Sequence, residues 1–286
     1  EIHERLVGSE MCIRDRLRTA TTARDRIRRK LAMQEKDYAA TQNRDQLRIY
    51  GDLITANLYR MERGAARLET ENFYDPECRP VAIPLDPLLT PQQNAAKYYK
   101  RYTKAKTAEK YLAEQMALAR RDLDYLESVL EELSRAETEQ DFLDIRGELR
   151  DAGFLRRQGK KEQNRPAKPL EFRTTSGFRV LVGRNNRQND KLTRSADHRD
   201  IWLHTQKIHG SHVILCTGGR EVDDDTIVEA AKLAAWFSQA REGANVPVDY
   251  TPVKNVKKPA GARPGMVIYS TCLLYTSPSP RDAHES

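Results

Sequence analysis

The chain has 286 residues, with 49 Lys and Arg against 42 Asp and Glu, a net charge of +7, and 38% apolar against 32% charged residues. That length implies about two domains, and the sequence holds no apolar run of ~18 residues that could span a membrane. No signal peptide is readable at its start, and Cys12, Cys78, Cys216 and Cys272 form no Cys-x-x-Cys pair, which excludes a disulfide framework and fits a reducing cytoplasm.

Residues 1–16 and 272–286 follow no period and resemble translated sequencing-adaptor sequence, so both are expected to be non-native ends. From Leu17 to about Ala66 the chain lacks proline and is rich in Arg, Gln, Ala and Leu. Ile27, Leu31 and Tyr38 mark an apolar stripe that Tyr50, Ile54, Leu58 and Met61 resume. This predicts one helix of about fifty residues, roughly 75 Å long at ~1.5 Å per residue. The prolines between Phe73 and Pro87 forbid helix, and Val81-Ala82-Ile83 reads as a short strand in a cap near residues 70–90. Thr90-Pro91 starts a second helix. Its seam runs Tyr98, Tyr102, Ala105, Glu109, Leu112, Met116, Ala119, Leu123, Leu126, Leu130 and Leu133, in steps of four and three. Only Glu109 interrupts that coiled-coil pattern.

Charge supports an antiparallel hairpin: residues 17–48 carry nine basic and four acidic groups, and residues 111–155 carry five basic and twelve acidic. The tip keeps a basic face of Lys97, Lys100, Arg101, Lys104, Lys106 and Lys110. That face reads as solvated helix or as a surface for an acidic or RNA partner. A shorter helix, about Thr138 to Ala152, ends at Gly153. The arm thus occupies 17–155, and a basic linker follows at 156–169.

The period then changes. Phe178–Val182, His212–Leu215, Val246–Val256 and Met266–Tyr269 read as strands, Gly218-Gly219 as a turn, and Asp225–Arg241 as an amphipathic helix. The fold class is α+β: a long antiparallel helical hairpin with a small tip cap, followed by a small α+β domain at 170–271. Residues 17–155 hold 24 basic and 24 acidic groups, whereas 156–271 hold 21 and 12, so the positive excess lies entirely in the second part.

Three constellations in that part bear on function. Gly183-Arg184-Asn185-Asn186-Arg187-Gln188-Asn189-Asp190 follows a strand; it reads as a phosphate- or base-contacting loop or as an ordinary polar hairpin turn. Trp202 and His204 could stack on an unpaired base or pack in a core. The spacing of His204, His209 and His212 fits no zinc pattern, and Ser211 lacks a nucleophile elbow, so no metal, cofactor or catalytic group is expected. Lys254, Lys257, Lys258 and Arg263 lie among Pro252, Pro259, Pro264 and Gly265, a stiffened basic ribbon suited to phosphate.

Several of these segments resemble one family. Arg48-Ile49-Tyr50-Gly51-Asp52-Leu53, Glu71-Asn72-Phe73-Tyr74-Asp75 and Lys104 to Lys110 look like the coiled-coil segment of the NFACT family. Gly183–Asp190, Asp200–His204, Gly210-Ser211-His212-Val213 and Asn245–Tyr269 resemble its RNA-binding domain, NFACT-R, with His209 standing where members usually have proline. The resemblance covers about 17–271. It implies a ribosome quality-control factor that binds the large ribosomal subunit carrying a blocked peptidyl-tRNA, touching rRNA, the stalk-base protein and tRNA. It also implies support of C-terminal alanine tailing in a longer chain whose N-terminal domain lies outside this sequence. On that basis Arg184, Asn185, Asn186, Arg187, Gln188, Asn189, Trp202, His204, Lys207, Lys254, Lys257, Lys258 and Arg263 are the expected RNA contacts. Lys97, Lys100, Arg101, Lys104 and Lys106 are the expected partner surface of the arm tip. No membrane, small-molecule substrate or enzymatic step is implied. Two other readings are a fibronectin-binding surface adhesin, an older label of the family, and a structural coiled-coil scaffold.

Overall fold

A computed structural model describes residues 2–155, 167–243, 245–270 and 273–277, with side chains from residue 18 to 270 of these. Two compact units are present: residues 28–120 form one, and the residues on either side of them form the other.

The helix α1 (Ile2–Thr41), which enters the first unit at residue 28, ends at a turn through Gln42 and Asn43, and α2 (Arg44–Ala56) follows. The single fifty-residue helix expected from the sequence is therefore two helices. Asn57 closes α2, its amide Nδ2 bonding the Leu53 carbonyl at 2.7 Å. β1 (Arg67–Glu71) and β2 (Pro80–Pro84) pair antiparallel, Leu68 opposite Ile83, and make the expected cap a two-stranded ribbon. α3 (Pro91–Arg135) starts with a reciprocal cap: the Gln93 N–H bonds Thr90 Oγ1 at 3.2 Å and the Thr90 N–H bonds Gln93 Oε1 at 2.8 Å. Leu53, Ile54, Leu68, Ile83 and Tyr98 form the core under the ribbon. Gly51 lets α2 approach α3, because a Cβ there would lie 2.8 Å from the Tyr99 ring. Arg120–Glu35 at 2.9 Å and Arg44 with the seam's Glu109 tie α1 and α2 antiparallel to α3.

In the second unit the helical seam broadens. Tyr125 and Val129 are buried along with Leu126 and Leu133, because α4 (Glu139–Asp151) packs on α3 through Phe142, Ile145 and Leu149. Thr138 caps α4 in a box with Asp141, and Gly153 with φ 87° ends it, as read from the sequence. The linker expected at 156–169 lies outside the described residues except for 167–169. β3 (Leu170–Arg173), β4 (Arg179–Val182), β5 (Ile201–Thr205), β6 (Val213–Cys216), β7 (Val246–Pro252) and β10 (Leu273–Ser277) form an antiparallel sheet in the order β10-β7-β5-β6-β4-β3. α6 (Asp224–Trp236) covers one face through Ala230, Ala231 and Ala234 on Val180, Val182, Leu203 and Val213. The other face carries α5 (Asn186–Ser195) and the ribbon of β8 (Val256–Lys257) and β9 (Ile268–Tyr269) over Trp202 and Ile214.

In the segments set aside as non-native ends, α1 extends back to Ile2, and residues 273–277 pair with β7. An edge strand offers unpaired N–H and C=O groups to any extended segment, so this pairing needs no particular sequence.

Candidate nucleic-acid interface

Gly183–Asp190 is not an exposed turn. Gly183 leaves β4, and Asn185 caps α5, its Oδ1 accepting the Gln188 N–H at 2.9 Å. Asn185, Asn186, Gln188 and Asn189 are all buried. Asn186 Nδ2 donates to Ser128 Oγ at 2.9 Å, Gln188 Nε2 to the Ala167 carbonyl at 2.7 Å, and Asn189 Oδ1 accepts the His212 N–H at 3.1 Å. Gly183 and Gly265 make this possible, since a Cβ at either would lie 2.0 and 2.1 Å from the Asn189 and Asn186 side-chain oxygens. These four amides are spent inside the protein, which corrects the expectation that they face RNA. The two arginines of the loop are spent similarly. Arg184 Nη1 pairs with the buried Asp141 at 2.7 Å, and Arg187 pairs with Asp151 and bonds the Gly147 carbonyl at 3.1 Å.

Below this loop lies a buried acid pair. Glu148 Oε1 accepts the Tyr125 hydroxyl at 2.8 Å and its Oε2 the Arg187 N–H at 3.2 Å. Glu132 is 3% exposed, and burial, with the neighbouring Glu148 charge, holds its carboxyl well above the usual range. Burial also lowers Arg135, whose Nη1 bonds Ser211 Oγ at 2.9 Å and the Phe237 carbonyl at 2.6 Å. Ser211 and Asp200 are thus committed elsewhere, Asp200 accepting the Gly218 N–H at 2.9 Å.

Trp202 is fully buried between Tyr269, His204 and His212, so it stacks on core rings and not on a base. His212 Nε2 donates to the Gly265 carbonyl at 3.2 Å, which leaves Nδ1 to accept the Thr193 hydroxyl at 2.8 Å. Burial pulls His204 down to about 4 and His212 to about 3, so both rings are neutral at pH 7. No group of three His, Cys, Asp or Glu among the described residues is placed to hold a metal ion.

The exposed part of the candidate set is the ribbon and one turn. Lys254, Lys257 and Lys258 are exposed, Lys258 pairing with Asp190, and Lys207 is exposed at a positive φ of 56°. Arg263 does not join them: it pairs with Asp122 at 2.6 Å, bonds the Ala152 carbonyl at 3.0 Å and packs over Tyr125 and Phe154, pinning the ribbon to α3. The exposed tryptophan is Trp236, 46% exposed at the end of α6, with the Arg241 guanidinium 4.0 Å from its ring; its place in the last turn of an amphipathic helix is the sequence signal for that exposure. In the other unit, Lys97 pairs with Asp86 at 2.9 Å, Arg101 lies over the Tyr98 ring, and Lys100, Lys104 and Lys106 are exposed.

Comparison with known proteins agrees with this layout. The family model "NFACT N-terminal and middle domains" matches residues 14–168, and "NFACT protein RNA binding domain" matches 168–270. Rqc2 homolog RqcH of Bacillus subtilis (strain 168) is 42% identical over 248 residues, 85% of this chain and 43% of that protein. The RqcH of Streptococcus pneumoniae serotype 2 is 38% identical over 245 residues, 85% and 44% of the two chains. The chain spans less than half the length of these relatives. The solved C-terminal structure of the fibronectin/fibrinogen-binding protein from Streptococcus suis aligns over 96% of both chains, with a TM-score of 0.72 and 28% identity. Among the described residues no helix is long and apolar enough to cross a membrane.

Proposed function

The chain belongs to the NFACT family, and from that premise we propose that it is the arm and RNA-binding portion of a ribosome quality-control factor. In this reading it binds the large ribosomal subunit with a stalled peptidyl-tRNA, and it supports C-terminal alanine tailing in the longer protein. It acts by binding and not by catalysis. The observation that carries the reading is the match of an RNA-binding domain model to 168–270, which holds 16 Lys and Arg against 11 Asp and Glu and the exposed Lys254, Lys257 and Lys258. Phosphate contacts through lysine make such binding steeply salt-dependent. The exposed Lys100, Lys104 and Lys106 give the arm a cationic face for rRNA or an acidic protein surface.

Co-sedimentation with purified large ribosomal subunits over a salt series tests the proposal. Retention at low salt that falls steeply as salt rises is expected. The name of the Streptococcus suis neighbour favours a second reading, fibronectin binding. Retention on immobilised fibronectin, with no ribosome or tRNA bound at low salt, would select that reading instead.

A further inference from the structure

The sheet face opposite α6 is unevenly covered. α5 and the β8–β9 ribbon lie over Trp202, Ile214 and Val253, but α5 stops at Ser195. Beyond it, Glu171, Arg173 and Arg179 of β3 and β4 remain exposed. The strand register sets Arg173, Arg179 and Cys216 in one row across three strands, and Glu171, Leu181 and Ile214 in the next. Residues directly opposite share a face. Between this half-face and the end of α5 opens a cleft of about 560 Å³, lined by Leu181, Cys216, Arg179, Arg220, Asp197 and Asp200, above the buried Leu192 and Ile214. Small-ligand sites fall in the range of roughly 300–1,000 Å³.

Arg179 and Arg220 line the cleft, and Arg173 adds a third guanidinium beside Arg179. Arg173 and Arg179 stand directly opposite each other, and like charges in that position are destabilising. Neither they nor Arg220 form an ion pair among the described residues, in contrast to Arg184, Arg187, Arg199 and Arg263. Arg220 is held over the Phe178 ring, 4.3 Å away, with its Nε on the Thr217 carbonyl. The two carboxylates that line the cleft are engaged: Asp197 by Arg199 at 3.0 Å, and Asp200 by two backbone N–H groups. Glu171 alone faces water in the second row. An apolar floor flanked by guanidiniums takes the π-face of a base and the oxygens of its phosphate together. A duplex cannot enter, because its base faces are stacked away.

We propose that this cleft holds one nucleoside monophosphate unit of single-stranded RNA, the base on Leu181 and the phosphate between Arg179 and Arg220, with Arg173 beside Arg179. The inference rests on the RNA-binding reading above and gives it a site. The test uses the full chain with labelled octaadenylate, an RNA hairpin and adenosine monophosphate as probes. The variants are R173A/R179A and the space-filling A196F. Both are expected to weaken octaadenylate about tenfold or more while the hairpin is unaffected, with the salt slope of the arginine variant reduced by about 1–2. Its melting temperature should hold or rise, since a like-charge pair is removed. Saturating octaadenylate should slow alkylation of Cys216, resolved by peptide, and leave Cys78 reacting. Protection by adenosine monophosphate but not by octaadenylate would overturn the strand assignment in favour of a free mononucleotide. Unchanged octaadenylate affinity in both variants, without Cys216 protection, would overturn the cleft while leaving the RNA reading intact. Failure of the unaltered chain to bind any RNA would overturn the reading itself.

Discussion

The unit of residues 28–120 and the unit containing the sheet use charge in opposite ways. In the first, cations sit on helix faces in water: Lys100, Lys104 and Lys106 are exposed, and Lys97 and Arg120 form surface pairs with half their side chains accessible. In the second, Arg135, Arg184 and Arg263 are drawn against the protein and hold helices, loop and ribbon in register. A lysine in water costs little to leave available, whereas an arginine fork can satisfy several buried acceptors at once. Sequence charge therefore counts two populations, one available to partners and one consumed by the fold.

The largest expected effect would break this comparison if absent. Trp202→Ala should destabilise the sheet unit by about 3–5 kcal/mol, as large core truncations do, while Tyr59→Ala on the exposed surface of the other unit should change stability by less than about 0.5 kcal/mol. Denaturant midpoints of the two variants decide it. Asp141→Ala should cost about 3 kcal/mol, because it strips Arg184 of its carboxylate and α4 of half its capping box; an unchanged midpoint would mean that the pair is not consumed by the fold.

Acid gives a smaller effect with a defined sign. The His212 ring has a folded value of about 3 against an ordinary 6.5. Below pH 6.5 the unfolded chain takes up a proton that the folded chain refuses, so stability falls as pH falls from 6.5 towards 3. By pH 5 the loss is about 2 kcal/mol from this ring. Glu132 acts in the opposite sense, since its raised carboxyl keeps a proton in the fold. His212→Gln should flatten the decline between pH 6.5 and 5, measured by urea midpoints at each pH. The smallest effect on stability belongs to Lys254→Ala and Lys257→Ala, within about 0.5 kcal/mol, yet each should reduce the slope of log affinity against log salt by about 1. A lysine variant that unfolds the sheet would erase the distinction between the two populations.

Local signals were legible and long-range ones were not. The heptad from Tyr98 to Leu133, the Thr90 cap and the Thr138–Gly153 helix are each written within a few turns of chain, and the structure contains all three. α5 is hidden in the sequence because its start, Asn185, Asn186 and Asn189, is rich in Asn, a weak helix former that is common in turns. Its burial depends on Ser128, Ala167 and His212, which lie 58, 21 and 23 residues from the amides they meet. Trp202 and His204 of β5 read equally as a stacking surface and as core, because a Trp and a nearby His carry the same chemistry in either place. In the candidate interface, the exposed lysines were legible from the prolines that stiffen their ribbon. The commitment of Arg263 to Asp122, 141 residues away, was not.

The glycine–asparagine contacts at 183 with 189 and 265 with 186 have a consequence for how this domain can vary. A methyl group at either glycine evicts the amide it faces, and a larger side chain at either asparagine position meets the glycine's backbone. Each glycine can gain a side chain only if the asparagine it faces is lost or moved. Across relatives they should covary as linked letters, and a double-mutant cycle on Gly183 and Asn189 should give strongly non-additive losses.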